Sequence, residues 1–170
     1  IGRGEESAKV FKEKTKISVK KGGLEKWLDS SPELPDAAIV PTNIITLAEI
    51  TSQLLEYGVT KILLEKPGGV NDEEVLELNN KSVELNGNVY IAYNRRFYAS
   101  TLAAQKIIRN DGGVTSFNFE FTEWSHVIEK LGYPNEVMQQ WFLANSSHVA
   151  NLAFFLGGMP KEISSFTTGS

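Results

Sequence analysis

The first half of the chain alternates between short apolar runs and stretches in which apolar residues recur at helical spacing. Helical spacing over residues 46–57 and 71–86 predicts two amphipathic helices. Strands and helices in strict alternation, with short connections, predict a parallel sheet with right-handed crossovers. We therefore expect an α/β fold whose first unit, residues 1–92, is a partial doubly wound parallel sheet. The runs that predict its strands are 37–40, 62–64 and 89–92, and the strand at 62–64 is expected to be buried on both faces.

Residues ahead of the first run fit the same unit. Residues 1–4 are expected to be the tail of a further strand, and 5–14 a helix that follows it. The run Gly2-Arg3-Gly4 superficially resembles a dinucleotide fingerprint. We reject that interpretation because the two glutamates that follow would lie where backbone amides should meet a pyrophosphate.

The pattern changes after Arg96. Phenylalanines alternate with polar residues over 116–122, which predicts a strand with one covered and one solvated face. A long helix is expected over 136–155, and 163–166 has the composition of a further strand. Residues 93–170 therefore predict the start of a second, α+β unit with an antiparallel sheet.

Composition narrows the classes of partner. The 170 residues carry a net charge of −4, so no basic field attracts nucleic acid or an acidic membrane surface. The apolar runs are far shorter than the roughly 20 residues of a membrane span. Cysteine is absent, which excludes disulfides, thiolate metal sites and a cysteine nucleophile and fits a cytoplasmic setting. We expect no nucleic-acid, membrane or metal partner.

Polar residues follow each predicted strand of the first unit. Parallel strands end at one edge of a sheet, and open α/β sheets bind their ligands there. Pro67 directly after Lys66 predicts a tight turn, in which the proline bond is trans or cis, that aims the ammonium into a cleft. The loops expected at this edge are 41–43, 65–67 and 93–96.

Three spaced motifs are Leu64-Glu65-Lys66-Pro67, Ala92-Tyr93-Asn94-Arg95-Arg96-Phe97, and His148 on a helix that ends Phe155-Leu156-Gly157-Gly158. Through these three motifs the chain resembles the glucose-fructose oxidoreductase, inositol dehydrogenase and MocA family of nicotinamide-dependent sugar and cyclitol dehydrogenases. The resemblance implies a Rossmann-like first unit, and covers only the middle of the family's fold. We expect the family's glycine-rich loop to precede this chain and its remaining antiparallel strands to follow it.

The resemblance implies an enzyme that transfers hydride between NAD or NADP and a hydroxyl-bearing carbon of a sugar, sugar derivative or cyclitol, as a homo-oligomer. It makes Lys66 and His148 catalytic, the lysine to stabilise charge on the reacting oxygen and the histidine to exchange its proton. A surface cation and a core histidine are the structural alternatives for these two. The resemblance assigns cofactor binding to Pro41, Thr42, Asn43, Glu65, Lys66 and Pro67, and substrate binding to Asn94, Arg95, Asn145 and His148.

The chain departs from the family near His148. Ala144 and Asn151 stand where the family usually has aspartate, so a neutral hydrogen bond from Asn145 or Asn151 would have to orient the imidazole. The departure keeps open an alternative, a non-catalytic ligand-sensing or regulatory relative. Arg95 and Arg96 either bind an acidic or phosphorylated group or hold the linker between the units.

Arg3 bears on the choice of nucleotide. At the end of the strand tail it would lie where an acidic residue commonly binds the ribose 2′-hydroxyl of NAD. An arginine there favours the 2′-phosphate of NADP, because its donors match phosphate oxygens. A solvated arginine at a strand end is the alternative.

Overall fold

The computed structural model describes residues 1–168. In the first half of the chain, the helices and strands of the structure begin and end within about two residues of the bounds expected from the sequence. No helix in this part of the chain is long and apolar enough to cross a membrane. In chain order the elements are α1 (Glu5–Thr15), α2 (Gly23–Asp29), β1 (Ala38–Val40), α3 (Leu47–Glu56), β2 (Lys61–Leu64), α4 (Asp72–Glu84), β3 (Asn88–Ile91), α5 (Ala99–Asn110), α6 (Ser125–Ile128), α7 (Asn135–Gln139) and α8 (Ser147–Gly157).

The three strands form one parallel sheet in the order β1-β2-β3. Val40 pairs with Leu64, and Leu64 with Ile91, so the three strands end level with one another. The parallel sheet predicted from the sequence is confirmed. Gly2 adds an isolated parallel bridge to Lys21, which is consistent with a strand tail at the start of the chain.

The sheet is covered on one face only. Ile62 and Leu64 are buried against the crossover helices, whereas Leu63 between them is 43% exposed. The expectation that the strand at 62–64 is buried on both faces is therefore wrong. The two crossovers step in the same direction across the sheet, and α3 and α4 contact each other, so both helices lie on the same face.

Residues 114–124 do not form the predicted strand, and no strand is assigned between residues 92 and 168. A strand requires a partner for its backbone groups, and the described residues supply none here. The phenylalanines of this segment nevertheless lie on one side, as the alternation predicts. Phe117 and Phe119 stack on each other, with centroids 6.3 Å apart, and both meet Phe154 of α8 edge-on.

The long helix expected over 136–155 is interrupted. After α7 the chain turns at Gln140, passes through a π-helical segment at Phe142–Ser146 and only then enters α8. A π-helical turn shifts the register of the residues before it relative to those after it. The single continuous face predicted from Val137 to Phe155 is therefore split. The π-helical segment is also the part that meets the sheet edge.

Candidate active site

The turns after β1, β2 and β3 meet at one edge of the sheet, as predicted. The first turn is fixed by Asn43, whose side-chain oxygen accepts a hydrogen bond from the N–H of Thr46 at 3.2 Å. The second contains a cis peptide bond between Lys66 and Pro67. The third, Asn94–Phe97, is a short 3₁₀ helix.

Lys66 turns away from bulk solvent. Its ammonium donates a hydrogen bond to the backbone oxygen of Ala144, in the π-helical segment. Burial lowers the pKa of Lys66, and the charge of Arg95 lowers it further, while the carboxylate of Glu65 acts in the opposite direction. The predicted orientation of this side chain is therefore found, since a residue of the second unit holds its nitrogen in place.

His148 lies in the first turn of α8, half-buried and close to the end of β3. Its ring meets that of Tyr93 edge-on, with centroids 5.8 Å apart. Burial lowers its pKa below the ordinary value, and the positive charges of Lys66 and Arg95 add to that effect. The imidazole is therefore held predominantly neutral at pH 7, the form that accepts a proton.

The nitrogen Nδ1 of His148 is buried and has no hydrogen-bond partner among the described residues. The amide of Asn145 instead donates to Glu123 at 2.9 Å, and the oxygen of Asn151 accepts from Arg96 at 2.7 Å. Neither asparagine orients the imidazole, so that expectation is wrong. With Nδ1 enclosed, Nε2 is the nitrogen left to exchange a proton with a bound molecule.

Glu123 is a site residue that the sequence did not reveal. It accepts hydrogen bonds from Asn145 and, at 2.7 Å, from the hydroxyl of the buried Ser146. The only signal in the sequence is its position at the polar end of the alternating segment. Glu123 thus ties that segment to the turn that carries the Lys66 contact.

Two adjoining clefts, each of about 460 Å³, run along the sheet edge. The first is lined by Arg3, Pro41, Thr42 and Asn43 together with apolar side chains of α2, β1 and α3. The second shares Thr42 and Asn43 and reaches Glu65, Lys66 and Asn145. The structure thus joins most of the residues expected to bind the cofactor into one continuous groove.

Aromatic side chains form part of the wall of the second cleft. Tyr133 and Trp141 pack together there, with centroids 5.4 Å apart. The two rings are tilted by 52° to each other, and the face of either ring can pack against a sugar ring or a nicotinamide.

Asn94 is not brought to this groove. It lines a third cleft, on the uncovered face of the sheet, with Leu63 and Tyr90. Arg95, which was expected to bind the substrate with Asn94, lines none of these three clefts, and Arg96 lies beside Asn94 in the third.

No protein-family model matches the chain, and no curated protein is significantly similar to it. Solved structures do match. The WlbA dehydrogenase from Bordetella pertussis, crystallised with NADH and UDP-GlcNAcA, superposes with a TM-score of 0.70 at 16% identity, over 91% of this chain and 49% of that one. Levoglucosan dehydrogenase, in complex with NADH and levoglucosan, superposes with a TM-score of 0.67 at 20% identity, over 91% of this chain and 43% of that one.

A candidate myo-inositol dehydrogenase from Sinorhizobium meliloti 1021 also matches, with a TM-score of 0.66 at 19% identity, over 92% of this chain and 46% of that one. The chain has the fold of these dehydrogenases. At these identities the match establishes the fold, and it agrees with the resemblance drawn from the motifs. The chain spans about half the length of the structures that it matches.

Proposed function

We propose that the chain belongs to a nicotinamide-dependent oxidoreductase that transfers hydride between NAD(P) and a hydroxyl-bearing carbon of a sugar, sugar derivative or cyclitol. One observation carries the proposal. Lys66, at the end of β2, is fixed on the carbonyl of Ala144, one helical turn before His148. The ammonium lines the second cleft, and the imidazole lies near enough for the charge of Lys66 to lower its pKa, so the two groups form the pair that an alcohol oxidation requires.

The residues of the groove fit a nicotinamide nucleotide. The hydroxyl oxygen of Thr42 is buried without a hydrogen-bond partner among the described residues, and it lines both clefts. Such an orphaned group is expected where a ligand completes the hydrogen bonding. Pro41, Thr42, Asn43 and Glu65 would hold the cofactor at the sheet edge, with Pro67 shaping the turn.

When bound, the nicotinamide would take up the hydride in the oxidising direction. His148 would accept the hydroxyl proton at Nε2 as the carbon loses hydride, which leaves a carbonyl product and balances the proton. Lys66 would donate a hydrogen bond to the same oxygen and stabilise the negative charge that develops on it. Asn145, held by Glu123, would contribute its remaining polar atoms to substrate binding.

The test is a direct assay of hydride transfer by the complete protein. A panel of sugars and cyclitols is incubated with NAD or NADP, and the absorbance of the reduced nicotinamide is followed. We expect turnover with members of the panel and loss of that turnover in the variant His148→Gln. Binding of reduced nicotinamide without turnover of any substrate would contradict the proposal and favour the ligand-sensing relative.

Arg3 supports a preference for NADP. It lines the first cleft and lies against Gly23, while the nearby carboxylate of Glu5 is engaged by Lys21 at 2.7 Å. Glu5 is thereby kept from opposing a 2′-phosphate. We expect Arg3→Asp to lower the ratio of kcat/KM with NADP to that with NAD by about tenfold. An unchanged ratio would remove Arg3 from the cofactor site.

We also propose that residues 1–92 form the nucleotide-binding part and 93–170 part of the substrate-binding unit. The parallel sheet, whose last strand ends at Ile91, supports this division. The homo-oligomer and the cytoplasmic location remain predictions.

A further inference from the structure

The imidazole of His148 has no hydrogen bond that would fix its orientation. Its Nδ1 is buried and has no partner within residues 1–168. An imidazole that exchanges protons is commonly oriented by a hydrogen bond from its second nitrogen to a carboxylate or a backbone oxygen. Ala144 has no side-chain acceptor, and the side chains of Asn145 and Asn151 are bonded to other residues. A contact of another kind therefore has to orient the ring.

Tyr93 makes that contact. The planes of the two rings are at 86° to each other, and their centroids are 5.8 Å apart. Aromatic rings attract each other edge-to-face at centroid separations of about 4.5 to 7 Å, because the positive edge of one ring meets the negative face of the other. Rotation of the imidazole about the bond to its Cβ would lose this arrangement. The contact therefore restrains the rotation that decides where Nε2 points.

The backbone of Tyr93 is itself held at the end of β3. Its N–H donates to the backbone oxygen of Ile91 at 2.8 Å, and its own backbone oxygen accepts from the N–H of Arg96 at 3.2 Å. Ile91 is paired with Leu64 in the sheet. The ring that meets His148 is therefore carried by the part of the molecule that has the hydrophobic core.

Arg96 fixes the ring of Tyr93 relative to α8. Its guanidinium carbon lies 5.7 Å from the centroid of that ring, and its Nε donates to the side-chain oxygen of Asn151 at 2.7 Å. Asn151 comes three residues after His148, about one turn further along the same helix. The turn after β3 thus holds α8 at two places, once at the imidazole and once at Asn151.

The contacts of Tyr93 with His148 and Arg96 are contacts of its ring. Its hydroxyl makes no hydrogen bond within residues 1–168. The plane of the ring, and not the polar group that it carries, is therefore what reaches the imidazole.

We propose that Tyr93 is a positioning residue whose ring orients the imidazole of His148, in place of a hydrogen bond to Nδ1. In this chain the packing of Tyr93 would do what a carboxylate at position 144 does not, since residue 144 is alanine. The proposal rests on the proposed function for the role of His148 as the group that accepts the proton.

The test compares Tyr93→Leu with Tyr93→Phe in the complete protein. Leucine has no aromatic ring, whereas phenylalanine loses only the hydroxyl. We expect Tyr93→Leu to lower kcat for sugar oxidation by about ten- to a hundredfold, because a misplaced catalytic group costs rate on this scale, and Tyr93→Phe to change it by less than about twofold. Affinity for the reduced nucleotide should not change, since Tyr93 lines neither cleft of the groove.

Nuclear magnetic resonance of labelled histidine reports on the imidazole directly. The signals of His148, assigned by their loss in His148→Gln, should move in Tyr93→Leu and stay in Tyr93→Phe. Nuclear Overhauser effects should also join the rings of Tyr93 and His148 in the unsubstituted protein. Their absence would overturn the proposal whether or not Tyr93→Leu folds.

The matched control is Tyr98→Leu, which removes a tyrosine that is 53% exposed at the end of the same turn. It should leave both kcat and the His148 signals unchanged. Thermal melting verifies that each variant is folded. An unchanged kcat in Tyr93→Leu would overturn the proposal, and so would an equal loss in Tyr93→Phe, which would assign the effect to the hydroxyl.

The resonance measurement does not require turnover, so the two proposals fail separately. Displaced His148 signals in Tyr93→Leu, in a protein that turns over no sugar, would support Tyr93 as the residue that orients the imidazole and contradict the proposed function. Equal turnover of sugars in Tyr93→Leu and the unsubstituted protein would do the reverse.

Discussion

Residues 1–92 and residues 93–168 are stabilised in different ways. The first part has a hydrophobic core, in which Leu47 and Leu64 are fully buried between the sheet and its crossover helices. In the second part, as far as the structure describes it, the residues that are buried carry hydroxyl groups: Thr101, Ser146 and Ser147. None of its large apolar side chains is fully buried within the described residues, and Phe117 and Phe119 are each 45% exposed.

The second part is instead positioned by single contacts to the sheet edge. Lys66 holds the backbone of Ala144, Arg96 holds Asn151, and Tyr93 packs on His148. A core distributes stability over many contacts, whereas these contacts act one at a time. The comparison teaches that one half of the candidate site is built on a packed core, while the half that carries His148 is positioned by contacts of the site residues themselves.

The largest effect should follow from removing the contact that joins the two parts. We expect Lys66→Ala in the complete enzyme to lower kcat by about two to three orders of magnitude, because the ammonium stabilises charge that exists only in the transition state. Affinity for the reduced nucleotide should change little. Steady-state kinetics and fluorescence titration of the nucleotide measure the two effects.

The matched control for this variant is Lys61→Ala, which removes an exposed lysine at the start of the same strand. It should leave kcat unchanged. An effect of Lys66→Ala confined to KM would contradict the assigned role.

A core substitution tests the unequal stability of the two parts. We expect Leu47→Ala to lower the free energy of unfolding by about 3 kcal/mol, because a fully buried leucine leaves a cavity. Phe119→Ala should cost about 1 kcal/mol, since it loses only the aromatic pairs of a half-exposed ring. Urea denaturation measures the free energy of unfolding of both variants. Equal losses would contradict the unequal stability of the two parts.

The pH profile tests the half that carries His148. The pKa of this residue is lowered below 6.5, so alcohol oxidation should persist to below that pH and fall as the imidazole becomes protonated. Ala144→Asp would place a carboxylate one helical turn before His148. We expect it to raise that pKa and move the acidic limb of kcat/KM upward by about one pH unit. A limb that stays in place would show that the new carboxylate does not reach His148.

The smallest effect concerns the turn after β3. We expect Arg96→Gln to lower the free energy of unfolding by about 1 to 2 kcal/mol, because it loses the bond to Asn151 and the contact with Phe155. Arg95→Gln should change it by less than about 0.5 kcal/mol, since that side chain has no partner to lose within the described chain. Chemical denaturation of the two variants separates a fastening arginine from a free one.

The sequence predicted the first part well because its signals are local. Apolar periodicity, the stops at Gly58 and Pro67, and the cap formed by Asn71 on α4 each act within a few residues. Local signals of this kind could not predict which faces of the sheet are covered by helices. Which faces are buried depends on where both crossover helices lie, and that is a property of the whole unit.

In the second part the sequence predicted which phenylalanines share a side, but not their secondary structure. Alternation indicates that side chains face one way, while a strand also requires a partner. The interruption at Phe142–Ser146 had no signal, because Gln140 and Trp141 are compatible with a continuous helix. Arg96 differs from Arg95 because it contacts Asn151, 55 positions away in the chain, and no local pattern indicates such a contact.

The contact between Lys66 and Ala144 has a consequence for how this site tolerates substitution. The lysine is held by a main-chain oxygen, which every amino acid supplies. Residue 144 can therefore exchange its side chain without releasing the ammonium, so the position of Lys66 does not depend on which side chain residue 144 carries. An alanine in place of the aspartate that the family resemblance leads one to expect therefore still holds Lys66 at the place where the proposed function needs it.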